Sequence, residues 1–316
     1  HALFLGTWFS PGAGKVMRLF ARKSKWSIVT SAPKGDAGKK WGDYWFAIDL
    51  AQALKAEGVD TKVVSRAGAN SQQRDADDVV VVLRGLRRVV PSNTSATWML
   101  WVISHPELVE PGEAAQYSRA FAASQHWEPG PEIGEFAPLL QATNSLRFRP
   151  MPSREKSGVL FVGSTRGNFR PIVRDALAAG IPLKIYGVGW DKFLAPDQIA
   201  GEFLDNSELP VAYASSAIVL NDHHRDMAEQ GFLSNRLFDA VAAGARVVSD
   251  PALGISEVFG SSVVTYQTPE ELAEIIRDPD SFFPSDENSP QRMHSDHNFR
   301  ARARALIDAA DSVRHD

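Results

Sequence analysis

The chain has 316 residues, of which 44% are hydrophobic and 23% charged, and its formal net charge is −4 at pH 7. This composition is typical of a globular protein long enough for two domains of ordinary size. The negative charge argues against a nucleic-acid-binding protein that depends on phosphate contacts. The absence of cysteine excludes disulfide bonds, thiolate metal sites and a cysteine nucleophile. No run approaches 18 consecutive apolar residues, so no segment is predicted to span a membrane.

The N-terminal residues carry a glycine-rich motif and a basic segment. Gly12-Ala13-Gly14-Lys15 matches the end of a P-loop, but Phe9 stands where the first glycine belongs, and Val16 replaces the Ser or Thr that holds magnesium. The segment 15–23 has the pattern of a short basic amphipathic helix. Such a helix either contacts an anionic membrane surface peripherally or lies solvated on its domain, and both interpretations remain open. Because the opening residues lack the basic start of a signal peptide, we expect a cytoplasmic protein.

The first half of the sequence alternates strands with helices. Ser27–Thr30 is predicted as a strand and Pro33–Asp43 as a glycine-rich loop. Tyr44–Glu57 is predicted as a helix, because its apolar residues recur every four positions. Further strands are predicted at Thr61–Val64, Asp77–Leu83 and Trp98–Ile103. This alternation predicts a mostly parallel, doubly wound sheet, which binds ligands outside the carboxyl ends of its strands.

A histidine follows the strand predicted at Trp98–Ile103. We expect the imidazole of His105 to point into the cleft at this edge of the sheet, where it could accept a proton or bind a hydroxyl group. A strand-end histidine without a catalytic role is the alternative. His126 and Trp127 follow a later predicted strand and are weaker candidates.

Residues 149–157 have the composition of an interdomain linker, with two prolines, several charges and no hydrophobic periodicity. We therefore predict one Rossmann-like domain at residues 1–150 and a second at residues 151–316.

The second domain is predicted to begin with the buried strand Val159–Val162. A glycine-flanked turn at residues 163–168 follows it and opens a helix. In such a turn the backbone N–H groups of Gly163 and Ser164 can approach a phosphate, and Arg166 can add positive charge.

The stretch 217–250 has the clearest strand–loop–helix–strand pattern in the sequence. Ile218–Leu220 is an apolar run that ends in polar residues, and Ser234 stands where a helix N-cap is expected. Apolar residues then recur at the spacing of a buried helical face, and Gly244 is a natural residue to end the helix. The start of this helix, beside the carboxyl end of a parallel strand, is predicted to be an anion site.

Three polar residues lie in the first turns of this predicted helix. Asn235 and Asp239 are four positions apart and Arg236 and Asp239 three apart, so all three can share one face. Donors for a phosphate beside an acceptor for hydroxyl groups suit a sugar nucleotide. The alternative is a surface ion pair between Arg236 and Asp239 on an ordinary helix.

The run Arg236–Gly244, RLFDAVAAG, followed by a Val-Val strand and Asp250, resembles the donor-site signature of the GT-B glycosyltransferases. It is closest to the branch related to the spore-coat protein CgeB and the group 1 transferases. The resemblance covers most of residues 158–278 and implies two doubly wound domains facing a cleft. It also implies a retaining enzyme in which Asp239 binds the ribose. One departure leaves the stereochemistry open, because Gly231 replaces the first of two glutamates and Glu229 lies two residues earlier.

The resemblance assigns further roles. His105, Glu229 and Asp239 become the catalytic candidates. The residues expected to bind the donor are Gly163, Ser164, Arg166, Gly187, Lys192, Asn235, Arg236 and Asp239, although Lys192 could equally be a solvated lysine. The acceptor is expected near the loop 35–43 and His105, and the predicted last helix, His297–Val313, is expected to cross back to the first domain.

His223 and His224, with Asp226, suggest a metal site. Adjacent residues of a regular element cannot both point at one ion, and no further cluster stands at ligand spacing, so we expect no metal.

These observations predict a metal-independent glycosyltransferase without a cofactor, whose partners are a nucleotide-sugar donor and a glycan, lipid-linked or small-molecule acceptor. The alternatives are a sugar-nucleotide epimerase of the same fold and a non-catalytic nucleotide-sugar-binding protein, which the missing first glutamate would favour.

Overall fold

The computed structural model describes residues 22–92, 95–152, 155–283 and 289–315. The Gly12–Lys15 motif and most of the predicted basic helix lie outside these residues, so the membrane contact stays a prediction.

The described residues form two parallel sheets of six strands each. The first contains β1 Lys25–Val29, β2 Asp60–Val64, β3 Val79–Arg84, β4 Thr97–Val102, β5 Arg119–Ala122 and β6 Ala137–Pro138, in the order β2-β1-β3-β4-β5-β6. The second contains β7 Val159–Val162, β8 Leu183–Tyr186, β9 Ile199–Gly201, β10 Ile218–Asn221, β11 Arg246–Ser249 and β12 Val263–Thr265, in the order β12-β11-β10-β7-β8-β9. Both sheets therefore reverse their strand order once, as doubly wound sheets do.

Helices cover the faces of both sheets. They are α1 Asp36–Lys39, α2 Gly42–Ala56, α3 Pro171–Ala178, α4 Leu209–Ser215, α5 Arg225–Glu229, α6 Asn235–Ala242, α7 Ile255–Phe259, α8 Pro269–Arg277, α9 Pro279–Phe282, α10 Ser289–Asp296 and α11 Phe299–His315. Because both faces are covered, strands such as β3, with the sequence VVVVLR, are buried along their whole length.

The last helix packs on the first sheet. Phe299 and Leu306 of α11 are buried in the same apolar cluster as Phe46 and Leu50 of α2. Where the chain crosses between the sheets, the Thr143 N–H donates to the His297 carbonyl at 2.8 Å, and the Phe299 N–H donates to the Thr143 carbonyl at 3.1 Å. The chain that leaves the first sheet and the chain that returns to it are thus bonded side by side.

A segment of the second half is also buried against the first sheet. Met227 of α5 and Phe232 after it belong to the apolar cluster that contains Trp98 and Leu100 of β4. The Phe232 ring lies 5.4 Å from the ring of Trp127, centroid to centroid. Ser124 Oγ donates to the Gln230 carbonyl at 2.6 Å. The two halves therefore share part of their core.

The predicted strands and helices agree closely with the structure, and their ends differ by at most two residues. The main difference lies in the predicted loop 33–43, which contains the one-turn helix α1. Ser234 occupies the N-cap position of α6, but its side chain makes no capping hydrogen bond. Within the described ranges, no helix is both long and apolar enough to cross a membrane.

Candidate active site

The second sheet reverses its strand order between β7 and β10. The Gly163–Asn168 turn follows β7, and Asp222 follows β10. In open parallel sheets, ligands bind in the crevice that such a reversal leaves at the carboxyl ends of the strands.

Arg236, in the first turn of α6, bridges this crevice. Its guanidinium donates to the carbonyl of Val162 at the end of β7, at 2.5 Å, and to Asn221 Oδ1 at the end of β10, at 2.9 Å. It also lies over the ring of Phe161, 5.2 Å from the centroid. Burial lowers the pKa of Arg236 from 12.5, but an arginine in a protein keeps its charge at neutral pH. A fixed positive charge therefore stands at the point where the strand order reverses.

Close packing of two loops explains why glycines stand beside this charge. Gly187 has φ +147°, and a Cβ atom there would lie 2.1 Å from the carbonyl oxygen of Gly163. A Cβ atom on Gly163 would meet the Arg236 guanidinium at 3.0 Å. The indole N–H of Trp190 donates to the same Gly163 carbonyl at 2.8 Å. Only residues without side chains allow these two turns to approach each other and Arg236.

Two more arginines lie on the same wall. Arg170 is buried and pairs with Asp222, its Nε donating to Oδ2 at 2.7 Å, and its Nη1 donates to the carbonyl of Ser164 at 2.9 Å. Arg166 adopts a left-handed backbone with φ 54°, and its side chain is exposed. Desolvation at the wall, followed by the charges of Arg170 and Arg236, lowers the pKa of Arg166 to about 10. Guanidinium groups that repel one another in this way favour the binding of an anion between them.

Asp239 lies one turn further along α6. Its carboxylate accepts from Thr143 Oγ1 at 2.8 Å and from Asn235 Nδ2 at 2.9 Å. Burial, opposed in part by the hydrogen bond from Thr143, raises the pKa of Asp239 well above 3.8. Each carboxylate oxygen keeps a second lone pair, so Asp239 can also accept hydrogen bonds from ligand hydroxyls.

A cavity of about 560 Å³ between the two sheets joins these groups. Its second-half wall includes Gly163, Ser164, Arg166, Arg170, Gly187, Asn235, Arg236 and Asp239. Val188 and Phe203, which are 55% and 48% exposed, add an apolar patch. The first-half wall includes Lys39, Lys40, Trp41, Asp43, Trp45, Asp49 and Ser104. This volume lies in the range of small-molecule sites, and its polar groups converge on one side.

A buried histidine holds the start of α6 in place. His223 Nδ1 bonds to Asp250 at 2.7 Å, and the Ser234 N–H donates to His223 Nε2 at 3.1 Å. These two bonds require a neutral imidazole with its proton on Nδ1. Asp250 also accepts from Ser249 Oγ at 3.0 Å. The pair His223–Asp250 thereby positions the helix terminus that faces the cavity.

His105 lies beside the cavity, whose wall includes the preceding Ser104. It has a left-handed backbone with φ 56°, and its Nδ1 lies 3.0 Å from Glu107 Oε1. Its ring faces His224 of the second half, with centroids 4.8 Å apart. Burial, followed by the charge of Arg166, lowers the pKa of His224 to about 4, so this ring is neutral at pH 7.

Three predicted site residues do not line the cavity, namely His105, Glu229 and Lys192. The side chain of Glu229 is 53% exposed and bonds to Arg225 at 2.7 Å. Lys192 is exposed beyond Trp190. Glu229 lies outside because α5 turns its apolar side to the first sheet and its charged side to solvent. Arg236 and Asp239 also do not form the surface ion pair that was the alternative interpretation. Arg236 bonds to Asn221 and Val162. Asp239 bonds to Thr143 and Asn235.

Sequence reasoning missed the polar network at the base of the cavity. Arg147 bonds to Asp49 of α2 at 3.2 Å and to Asn206 Oδ1 at 2.5 Å, and Asn144 Nδ2 donates to Asp49 at 2.8 Å. Burial raises the pKa of Asp49, and the bond from Asn144 opposes this effect. The positions involved are far apart in sequence and belong to no motif. No local pattern in the sequence therefore predicts this network.

The histidines near the site do not form a metal centre with their neighbours. Within the part of the chain that the structure describes, no three His, Cys, Asp or Glu side chains are grouped so that they could hold an ion. His223 uses both ring nitrogens in protein hydrogen bonds.

Comparison with known proteins assigns the fold and the domain type. Residues 166–308 match the family model described as "Glycosyl transferase-like". A search of curated protein sequences found no match. Among solved structures, sucrose-phosphate synthase from Thermosynechococcus elongatus has a TM-score of 0.67 at 13% identity, covering 93% of this chain and 100% of that one.

Two other glycosyltransferases have a similar structure. AviGT4, involved in avilamycin A biosynthesis, has a TM-score of 0.66 at 16% identity over 92% of this chain and 98% of that one. The T4 phage enzyme BGT, in complex with its UDP-glucose substrate, has a TM-score of 0.54 at 12% identity over 92% of this chain and 98% of that one. The finer likeness to the CgeB branch stays a prediction. Residues 166–308 are thus similar to a glycosyl transferase-like domain, and the chain has the two-domain GT-B fold of the glycosyltransferases.

Proposed function

We propose that this protein is an enzyme that transfers a sugar from a nucleotide-diphosphate sugar to an acceptor hydroxyl, without a metal ion and with retention of configuration at the anomeric carbon. One observation carries the proposal. Three arginines, the N-terminus of α6 and Asp239 all line one cavity, at the point where the second sheet reverses its strand order.

The diphosphate would lie against Arg166, Arg236 and the start of α6. When the bond between the sugar and the diphosphate breaks, negative charge grows on the leaving oxygen. Arg236 is already fixed by its bonds to two strand ends, so it needs no rearrangement to meet this charge. Arg166 has no recorded hydrogen-bond partner among the described residues and is available to the phosphate. These guanidinium groups supply the neutralisation that a metal supplies in other transferases, which supports the metal-independent proposal.

The nucleoside would extend from the diphosphate along the same wall. Asp239 offers acceptor lone pairs to the ribose hydroxyls. Phe203 and Val188 provide an exposed apolar surface on which a planar base can lie. We include retention because Asp239 occupies the place of the second glutamate in the resembling signature, and the anomeric configuration of the product, read by NMR, tests this part directly.

The acceptor would approach from the first-half wall, near Trp41 and Ser104. Closure of the two halves would exclude water, because hydrolysis of the donor competes with transfer. The acceptor in this scheme is a glycan, a lipid-linked sugar or a small molecule. The same proposal includes a role in polysaccharide biosynthesis, a cytoplasmic location and peripheral membrane contact.

The experiment is a thermal-shift panel of UDP, GDP, ADP, dTDP and their sugars in the presence of EDTA, on the wild type and on Arg166→Gln. A ligand that binds only the native state must raise its melting temperature. We expect one base to give a clear shift that Arg166→Gln reduces, while exposed Lys192→Gln leaves the shift unchanged. If no nucleotide shifts the wild type, or if the shift needs a divalent ion, the donor proposal or its metal independence is wrong.

The two alternatives make different products. An epimerase would convert the sugar nucleotide without an acceptor, and a binding protein would leave it intact. The epimerase would need free carboxylates on both sides of the cleft, yet in the first half Asp43 accepts from the Ser31 N–H at 2.9 Å, and Asp49 is bonded to Asn144 and Arg147. Chromatography of the nucleotide products with and without acceptor distinguishes the three functions.

A further inference from the structure

The first-half wall of the cavity differs in chemistry from the phosphate side. It is formed largely by the segment 39–45, which ends α1 and opens α2. Trp41 and Trp45 are half-buried there, and neither belongs to the apolar clusters that hold the first sheet. Two large aromatic side chains on a polar wall, outside the core, need an explanation other than stability.

Both indoles are held so that they can serve as binding surfaces. The Trp45 N–H donates to the carbonyl of Lys39 at 2.7 Å, which fixes the edge of this ring. The guanidinium of Arg66 lies 5.9 Å from the centroid of Trp41. Aromatic faces in a cavity that is otherwise polar suit a ligand with an apolar face and polar edges, as a sugar ring has.

The free charge on this wall is positive. Asp49 accepts from Asn144 and Arg147. Asp43 accepts from the Ser31 N–H through Oδ2, while its buried Oδ1 has no hydrogen-bond partner among the described residues. Burial raises the pKa of both carboxyl groups. The ammonium group of Lys39 bonds to the fully exposed Asp36 at 2.8 Å, an interaction that a ligand can replace easily. No partner is recorded for Lys40 among the described residues. Lys39 and Lys40 are thus exposed positive charges that line the cavity together with the two indoles.

We propose that the acceptor, which the proposed function places on this wall, is an anionic saccharide, a sugar that carries a phosphate or carboxylate group. The sugar ring lies on Trp41 and Trp45, and Lys39 and Lys40 bind the anionic group. The inference rests on the proposed function, because it needs the donor to occupy the opposite wall.

The test measures sugar binding in the presence of saturating nucleoside diphosphate, so that the arginine wall is already occupied. Glucose 6-phosphate, glucuronic acid, glucose and inorganic phosphate are each titrated and followed by saturation-transfer NMR. The variants are Lys39→Gln/Lys40→Gln and Trp45→Leu. The control is Lys34→Gln, which removes one lysine charge from the same loop at a position that does not line the cavity.

We expect at least one anionic sugar to bind more tightly than glucose and inorganic phosphate. The double lysine variant should weaken its binding about fivefold or more, because each exposed ion pair contributes up to about 1 kcal/mol. Trp45→Leu should weaken anionic and neutral sugars alike, and Lys34→Gln should match the wild type. The tighter of the two anionic sugars identifies phosphate or carboxylate as the group recognised.

Equal binding of glucose and the anionic sugars, no binding of either anionic sugar, or binding unaffected by the double variant overturns the proposal. Nucleotide binding is measured first on the same protein. A nucleotide shift without an anionic preference refutes this inference alone. If no nucleotide binds, the proposed function has failed, and the same titrations without nucleotide still report on the lysines.

Discussion

The side chain of Arg236 both bonds to the ends of two strands and lines the cavity. It joins the ends of β7 and β10 through bonds to Val162 and Asn221, and it also lines the cavity where a diphosphate would lie. Arg166 lines the same wall of the cavity but does not join two strands. The two arginines should therefore respond differently to substitution.

Replacing Arg236 with Met should lower the free energy of unfolding by about 2 to 3 kcal/mol, because a buried carbonyl and a buried amide oxygen lose their donor. Arg166→Met should change it by less than about 0.5 kcal/mol, because that side chain is exposed. Chemical denaturation of both variants measures the difference. Equal stability of the two variants would contradict the bridging role of Arg236.

The pKa of Asp239 sets a pH dependence. Burial raises this pKa well above 3.8, so the folded protein holds the proton more tightly than the unfolded chain does. The stability associated with this carboxyl is fully present below the unfolded pKa and is lost as the pH rises through the folded pKa. Asp239→Asn removes this loss, so the variant should become more stable than the wild type as the pH increases from 3.8 upwards.

The same substitution should weaken nucleotide-sugar binding about tenfold or more, because hydrogen bonds to a charged acceptor contribute about 1.5 to 3 kcal/mol. Melting curves from pH 4 to 8 and titration calorimetry measure the two effects, with exposed Asp191→Asn as the control. A stability difference that stays constant across this range would show that Asp239 titrates as an ordinary carboxyl.

At the scale of elements, the site depends on two turns that pack against each other. The turn after β7 and the turn after β8 meet at Gly163 and Gly187, where a Cβ atom on Gly187 would lie 2.1 Å from a carbonyl oxygen. The start of α6 is held separately, by His223 and Asp250. This part of the cavity wall therefore depends on two turns that pack too closely to accept a side chain at Gly187.

Gly187→Ala should lower the free energy of unfolding by about 2 to 4 kcal/mol, because it adds a steric clash to backbone strain. The matched control is Gly180→Ala, which also has a positive φ, +74°, but has no atom within 4 Å of its Cβ position. Its cost should be only the strain, about 1 kcal/mol. Thermal unfolding compares the two, and similar losses would mean that the contact with Gly163 is relieved at little cost.

At the scale of the whole molecule, the two halves hold each other at several places. Phe232 and Met227 are buried against the first sheet, and α11 packs on α2. Thr143, which precedes the linker, donates to Asp239 of the second half. A residue of the candidate site is therefore bonded directly to the other half of the chain.

Phe232→Ala should cost about 3 to 5 kcal/mol and should loosen the first sheet, although Phe232 follows β10 of the second. Hydrogen exchange should increase in β3 and β4 of this variant. Phe259→Ala, which removes a ring buried in the core of the second half, should increase exchange in β10 and β11 instead. If both variants affect only the second sheet, Phe232 does not connect the two halves.

Much of the fold was predictable from the sequence, because strand and helix periodicities are set by neighbouring residues. The strand at Val159–Val162 was predicted at its observed bounds, and α6 with Arg236 and Asp239 near its start was predicted correctly. The GT-B fold inferred from RLFDAVAAG is confirmed as well. These features follow from local pattern and from the rule that parallel sheets bind ligands at their carboxyl ends.

Contacts between distant residues were decided only by the tertiary structure. Thr143 and Asp239 are 96 positions apart, and Asp49 and Arg147 are 98 apart, so no spacing in the sequence relates them. The position of Glu229 was also decided by tertiary contacts. Met227 and Phe232 are buried against the first sheet, so the side chain of Glu229 points towards solvent. The sequence by itself determined two doubly wound sheets and the position of Arg236 and Asp239 near the start of α6. The tertiary structure decided which polar side chains share the cavity, because that depends on how the two sheets pack together.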